Sequence, residues 1–442
     1  MHNFKSKNVR SVLPRFLSAK GLVFTIVFLL VVPNIQGLPR GHVQSTFELN
    51  QHNDIESLSE GFRLIQTSED KSPIWMSQNE ILILFRNNIK FMDVTDYLDL
   101  GTHFKPALKH VYPTVPTFQV EVKSFIGNLT TTTMRQNLIK FTSFKNRYYR
   151  SSYGEQSSKW LYNQIFDIIQ DANDLNLDVD VSVRKFTHSW AQKSIIARFE
   201  GSNPENQNQV VIVGAHQDSV NMWLPNFGRA PGADDDGSGT VTILEAFRVL
   251  VSGQFRPERP VEFHWYSAEE AGLLGSQAIA LEYEKEGKDV VGMIQNDMTG
   301  YVGKKKETFG IIIDFVDEDL TTFIKKLIGT YAEIPYTETK CGYACSDHAS
   351  WRKAGFPSAF AIESDFSDSN PHIHSANDIV DHLSFEHMLE FSKLAVSFAV
   401  ELRALTKVSE VIRPKVTETQ DYGTRRIPFS FLFGRGNIFE LK

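Results

Sequence analysis

Asp234, Asp235 and Asp236 stand side by side in the stretch PGADDDGSG, closed by Pro231 and Gly232 before the triplet and by Gly237 and Gly239 after it. Adjacent carboxylates repel one another, and a solvated turn of Asp and Gly is the ordinary way to tolerate them. A bound cation is the alternative, because it turns the repulsion into attraction. Partners for a cation stand elsewhere in the chain: His216 and Asp218 in AHQDS, Glu269 and Glu270 in SAEEAG, Asp297 in QNDM and His374 in NPHIH. A lone histidine in a loop is usually polar surface, and a Glu–Glu pair usually opens a solvated helix, so each signal alone is weak. Imidazole mixed with carboxylate, without thiolate, suits zinc and neighbouring first-row metals rather than calcium. The donors are too many for one tetrahedral zinc, whereas two ions about 3.5–4 Å apart sharing one carboxylate would use them all.

Strands must carry these groups to one place. Branched apolar runs predict strands at 210–213, 261–266, 290–298, 310–315 and 359–362. Helical spacing marks 138–144, 160–169, the face Val241, Leu244, Phe247 and Val251, a helix near 320–331 and a long one over 385–405. Ser276 is placed to cap a helix running to Glu286. The alternation predicts an α/β fold of three layers, a mostly parallel sheet with helices on both faces. In such sheets functional groups gather beyond the carboxyl ends of the strands. His216 and Asp218 follow one predicted strand, Glu269 and Glu270 another, Asp297 ends a third, and His374 lies in the loop after a fourth. With the triplet, five segments thus deliver donors to one rim.

The chain has 442 residues, 41% hydrophobic and 12% aromatic, which is enough for a large core and excludes a disordered chain. Net charge is −7, with no long basic run beyond the N-terminus, so nucleic acid is not an expected partner. Lys5, Lys7, Arg10, Arg15 and Lys20 precede an apolar run over 22–32 that ends at Pro33. As a helix that run rises only about 16 Å, short of a bilayer core, so it reads as a signal peptide over 1–37 ending at Gly37. A short signal anchor is the alternative. Secretion and no stable membrane association are the expectations. Asn128-Leu129-Thr130 is the one acceptor sequence for N-glycosylation. The two cysteines, Cys341 and Cys345 in CGYAC, are expected to pair in an oxidising compartment, and two thiolates on a metal is the other reading. A closed loop this small gains little entropy, and its expected role is to fix Tyr343 between them. Residues 80–96 read as an amphipathic helix running into a turn, and 112–116 as a linker, which divides the chain into a propeptide over 38–111, a catalytic domain over 112–407 and a tail over 408–442 of no readable role.

Taken together, HQDS, APGADDDGSG, YSAEEAGLLGS, QNDM, CGYACSDHASW and NPHIH closely resemble the secreted leucine aminopeptidases of the zinc-dependent M28 peptidases, the bacterial and fungal subgroup, over roughly residues 112–407. The stretch 75–96 is similar to the propeptide of the fungal enzymes. The resemblance implies two zinc ions per chain, one held by His216 and Asp297, the other by Glu270 and His374, with Asp235 bridging. It implies Glu269 as general base, Asp218 as the carboxylate that orients His216, Tyr343 as a donor to the substrate carbonyl, and a cis peptide between Asp235 and Asp236. Met298, Phe360, Ile362, Phe366 and Ile373 flank these positions and suit an apolar pocket for a leucine-like N-terminal residue. The expected partners are peptides with a free N-terminus and the chain's own propeptide, acting on a monomer. Rival readings on the same fold are a one-zinc glutaminyl cyclase, a receptor-like relative that has lost catalysis, and a carboxypeptidase. The second would be expected to lack donors that are all present here, and the third would need a cationic clamp that does not flank these motifs.

Overall fold

A computed structural model describes residues 61–103 and 110–404. The expected signal peptide and C-terminal tail, and parts of the expected propeptide, lie outside the described residues. Among the latter, no helix is long and apolar enough to cross a membrane.

An eight-stranded sheet carries the molecule. Its strands are β4 (Val181–Phe186), β5 (Ser194–Phe199), β6 (Gln209–His216), β7 (Val261–Tyr266), β8 (Asp289–Asn296), β9 (Phe309–Ile312), β10 (Tyr336–Thr339) and β11 (Ser358–Ile362). They lie in the order β10-β9-β11-β8-β6-β7-β5-β4. The centre β11-β8-β6-β7 is parallel, as are β9 and β10, while β4–β5, β5–β7 and β9–β11 pair antiparallel. The sheet is therefore mostly parallel, as the alternating pattern predicts.

Helices cover both faces because the central strands are apolar on both. Along β6, Val211, Val213 and Ala215 enter one core with helices α5 (Gly237–Ser252), α7 (Glu318–Tyr331) and α9 (Phe385–Glu401), while Val210 and Ile212 enter a second core with α6 (Leu274–Glu286) and α8 (His348–Lys353). On the first face, α2 (Gln119–Ile126), α3 (Thr131–Phe141) and α4 (Ser152–Asp174) complete the layer. Ahead of this body β1 (Phe62–Gln66), β2 (Ile74–Ser77) and β3 (Met92–Asp93) form a small antiparallel sheet in the order β2-β1-β3, with α1 (Gln78–Arg86) between β2 and β3.

Several sequence expectations shift. The helix expected over 80–96 is only Gln78–Arg86, capped by the reciprocal Ser77–Glu80 pair, and its continuation becomes β3. Ser276 caps nothing: α6 starts at Leu274, and the Ser276 hydroxyl bonds Ser350 instead. The strands expected over 290–298 and 310–315 end at Asn296 and Ile312, and the last helix ends at Glu401. The linker near Tyr112 is docked rather than free, for Tyr112 donates to the Val291 carbonyl at 2.8 Å and stacks on Phe323. Strands β4, β5 and β10 had no clear reading because their alternation is broken by charged residues.

Candidate metal centre

The carboxyl ends of β6, β7 and β8 meet at one rim, and each strand hands over its chemistry as it ends. His216 is the last residue of β6 and Asp297 follows the last residue of β8. After β7, Ala268 takes a left-handed φ of 61° and turns the chain into a short 3-10 segment, Glu269–Ala271. The triplet lies just before α5, where Asp236 serves as N-cap. Gly239 is required here, since a Cβ would sit 2.2 Å from the Asn296 carbonyl oxygen. His374 comes from the loop after β11, and its own φ is 54°.

Two trios of donor atoms result. Atoms of His216, Asp236 and Asp297 lie within 4.8 Å of one another, as do atoms of Asp235, Glu270 and His374. Asp235 joins the trios: its Oδ1 is 3.1 Å from His216 Nε2 and its Oδ2 is 3.0 Å from His374 Nε2. Asp297 Oδ1 is 3.5 Å from the same nitrogen of His216, and Glu270 Oε2 is 3.0 Å from that of His374. Asp236 is otherwise engaged, accepting from the amides of Gly239, Met298 and His216. The Asp235–Asp236 peptide is cis, as the resemblance implies.

The surroundings fix these groups. Asp218 stands 3.4 Å from His216 Nδ1 and accepts from the amides of Glu269 and Glu270, so one carboxylate ties the histidine to the glutamate turn. Ser346 donates to Asp297 Oδ2 at 2.6 Å. Asp378, which no sequence signal singled out, accepts from the amides of Asp234 and Asp235 at 2.9 and 3.1 Å. Arg147, fully buried, donates to the carbonyls of Gln217, Pro231 and Gly232 and so grips the loop entering the triplet.

A cation fits this donor set. Nε2 of His216, Oδ1 of Asp297 and Oε1 of Glu270 are buried with no hydrogen-bond partner, which is costly unless a cation takes them up. Burial, with Asp235 beside it, pushes Glu270 up to about 7. Burial opposes the charging of His374, yet Glu270 and Asp235 raise it to about 10. Burial likewise raises Glu269 above the ordinary carboxylate range, with Glu270 adding to it and His216 opposing. The cluster is thus a concentration of negative charge without a lysine or arginine among its donors, and the donors are nitrogen and oxygen only, which suits zinc.

Beside the donors lies a cavity of about 390 Å³, lined by Asp235, Glu269, Glu270, Asp297 and His374 and by all five residues expected to form an apolar pocket: Met298, Phe360, Ile362, Phe366 and Ile373. Met222 and Asn370, not foreseen, also line it. Tyr343 is the exception among the expected site residues. Ala344 and Cys345 line the cavity, whereas the Tyr343 hydroxyl bonds Gln66 and Met92 of the small sheet. Its expected place beside a substrate carbonyl is not the place it occupies here, because β1 and β3 hold it. Cys341 and Cys345 form a disulfide. Asn128 is exposed, and its side-chain amide donates to the Ser124 carbonyl.

Residues 194–399 match the sequence model described as Peptidase family M28. The chain is 51% identical over 338 residues to leucine aminopeptidase 1 of Neurospora crassa, covering 74% of this chain and 82% of that one. It is 50% identical over 352 residues to leucine aminopeptidase 1 of Chaetomium globosum, covering 77% and 85%. Among solved structures, the LapA aminopeptidase of Legionella pneumophila superposes with a TM-score of 0.66 at 31% identity, over 77% of this chain and 94% of that one.

Proposed function

The chain belongs to peptidase family M28 and is a metallo-aminopeptidase, and from that premise we propose that it is secreted, works with two zinc ions, and removes bulky apolar residues such as leucine from peptide N-termini. One observation carries the reading: two donor trios joined through Asp235 open onto an apolar cavity. His216 and Asp297 would hold one ion, Glu270 and His374 the other, and Asp235 both. Bound there, the ions would supply a water acidic enough to give hydroxide near neutral pH and would polarise the peptide carbonyl.

The chain's own groups do the rest. Glu269 is no donor in either trio, yet it lines the cavity. Placed there, it takes the proton of the attacking water and returns it to the leaving amine. Asp218 holds the His216 ring in orientation through Nδ1, as ligating histidines require. The carboxylates around the donors favour the free α-ammonium of a substrate, which makes the enzyme an exopeptidase. Phe360, Ile362, Phe366, Ile373 and Met298 exclude water from the first side chain and favour an apolar one.

The N-terminal part supports a precursor. Phe85, Arg86, Asn88, Ile89, Lys90 and Phe91 cover the cavity, and Phe85 packs edge-on against His374 at 5.7 Å. A segment so placed restrains the site until it is cut away near residue 111. The reading is tested on the processed, secreted protein by zinc content, by leucine release from a leucyl chromogenic amide, and by the same substrate with a blocked amine. Two zinc ions per chain and cleavage of the free amine alone are expected. Pyroglutamate formation in place of leucine release, or one zinc per active chain, overturns it.

A further inference from the structure

Tyr343 sits in the five-residue disulfide loop at the rim of the cavity, yet its phenol is engaged elsewhere. The hydroxyl donates to Gln66 Oε1 at 3.0 Å and lies 3.2 Å from the sulfur of Met92. The same oxygen of Gln66 accepts from Lys353 Nζ at 3.0 Å, so the amide is held from two sides. The ring meets Phe315 edge-on at 5.7 Å and packs on an apolar cluster in which Leu64, Met92 and Val94 of the N-terminal segment join Leu273, Ala344 and Ala349 of the catalytic body. Met92 and Val94 are fully buried by this packing. On either side of Tyr343 the backbone is left-handed, with φ of 89° at Gly342 and 52° at Ala344. Glycine takes that conformation freely, while alanine takes it only when its surroundings impose it. Here the surroundings of Ala344 include the N-terminal segment itself.

The geometry points to a latch. Gln66 and Met92 hold the Tyr343 hydroxyl away from the cavity, and removal of the N-terminal segment frees it to serve the substrate carbonyl. The precursor is then restrained twice, by the cover over residues 85–91 and by withdrawal of a hydrogen-bond donor. The two restraints use different parts of the segment: the donor is captured from the end of β1 and the start of β3, while the cover comes from α1 and the turn after it. A hydroxyl bonded to a neutral amide is released at little cost once that amide leaves, whereas one left inside an apolar cluster with no acceptor would lose its hydrogen bond outright. Departure of the cut segment therefore removes both the acceptor and the apolar neighbours that make the present position favourable. This rests on the reading of residues 38–111 as a removable segment and of Tyr343 as a carbonyl donor.

The test uses the full, zinc-loaded chain carrying 3-fluorotyrosine, examined by fluorine NMR before and after proteolytic removal of the segment. The Tyr343 resonance is identified by its loss in Tyr343→Phe. It is expected to shift once the cut segment has been separated from the catalytic body, and to sit at the shifted position in uncut Gln66→Ala. In uncut Gln66→Glu, where carboxylate oxygens still accept from Tyr343 and Lys353, it should remain at the precursor position. A resonance that stays put after the segment has been separated, while leucine release rises, overturns the latch and leaves the precursor reading intact. An unmoved resonance in uncut Gln66→Ala overturns it equally. If leucine release does not rise once the segment has been separated, it is the precursor reading that fails, wherever the resonance lies.

Discussion

Glu269 and Glu270 are neighbours in sequence with opposite duties, and the difference is set by where each carboxylate points. Glu270 reaches His374 and lies among the donors, while Glu269 joins neither trio and lines the cavity. Glu269→Ala should therefore keep both metals and the same unfolding midpoint, yet lose about 10²–10⁴-fold in kcat, the usual worth of a general acid–base group. Near-normal turnover in a metal-replete variant would remove Glu269 from the mechanism. Asp235→Ala is expected to fail differently. Among the described residues its carboxylate alone touches both histidines, so its loss should show first as zinc per mole of protein after gel filtration. Full zinc content in that variant would deny the bridge. Once the segment is cut away, Tyr343→Phe should lower kcat by about a hundredfold with little change in KM, as for loss of one oxyanion donor. An unchanged kcat would mean that the hydroxyl never reaches the carbonyl.

The donors owe their placement to elements that are simple and to turns that are not. The strands that lead to His216 and Asp297 and the turn with Glu269 were legible because a buried parallel strand is a run of branched residues, and a polar residue at its end stands out. The turns were illegible for a physical reason. Ala268, Leu273, Met298 and His374 all adopt left-handed φ, which residues with a Cβ rarely do and which no local preference announces. Nor does local sequence reveal Asp378, which lies 144 residues beyond the Asp234 amide it accepts from. Likewise Ser276 looked like a helix cap because it precedes an apolar run, but tertiary packing started the helix three residues earlier. Asp378 and Arg147 now explain how the triplet is held: one takes the amides at its start, the other takes the carbonyls before it. Asp378→Asn keeps one acceptor oxygen and loses the other. A lost hydrogen bond to a charged acceptor should weaken zinc binding about tenfold or more in chelator competition. Affinity equal to the parent would show that the loop is held without it.

At the scale of the molecule, the break in sequence texture near Tyr112 suggested a removable segment, but nothing in it foretold which face the segment would cover. The answer lies in contacts scattered along both partners. The Asp93 amide donates to the Gly272 carbonyl at 3.0 Å, and Gln277 donates to the Asp93 carbonyl at 2.9 Å. Glu284 accepts from the amides of Gly101 and His103 at 2.8 and 2.7 Å. To these are added the buried Leu64, Met92 and Val94 cluster and the exposed Lys285–Asp99 pair. Severing the chain between the two parts breaks none of these contacts, so the segment should stay bound after the cut and leave only on dilution. Specific activity of freshly cut protein is expected to rise as it is diluted from about 10 μM to about 10 nM, the span in which a modest interface dissociates, and to fall again on reconcentration. Salt should change this little, because apolar packing and backbone hydrogen bonds dominate, and an exposed ion pair contributes only about 0–1 kcal/mol. Specific activity that jumps on cutting and is then the same at every concentration would mean that the covalent link alone held the segment in place.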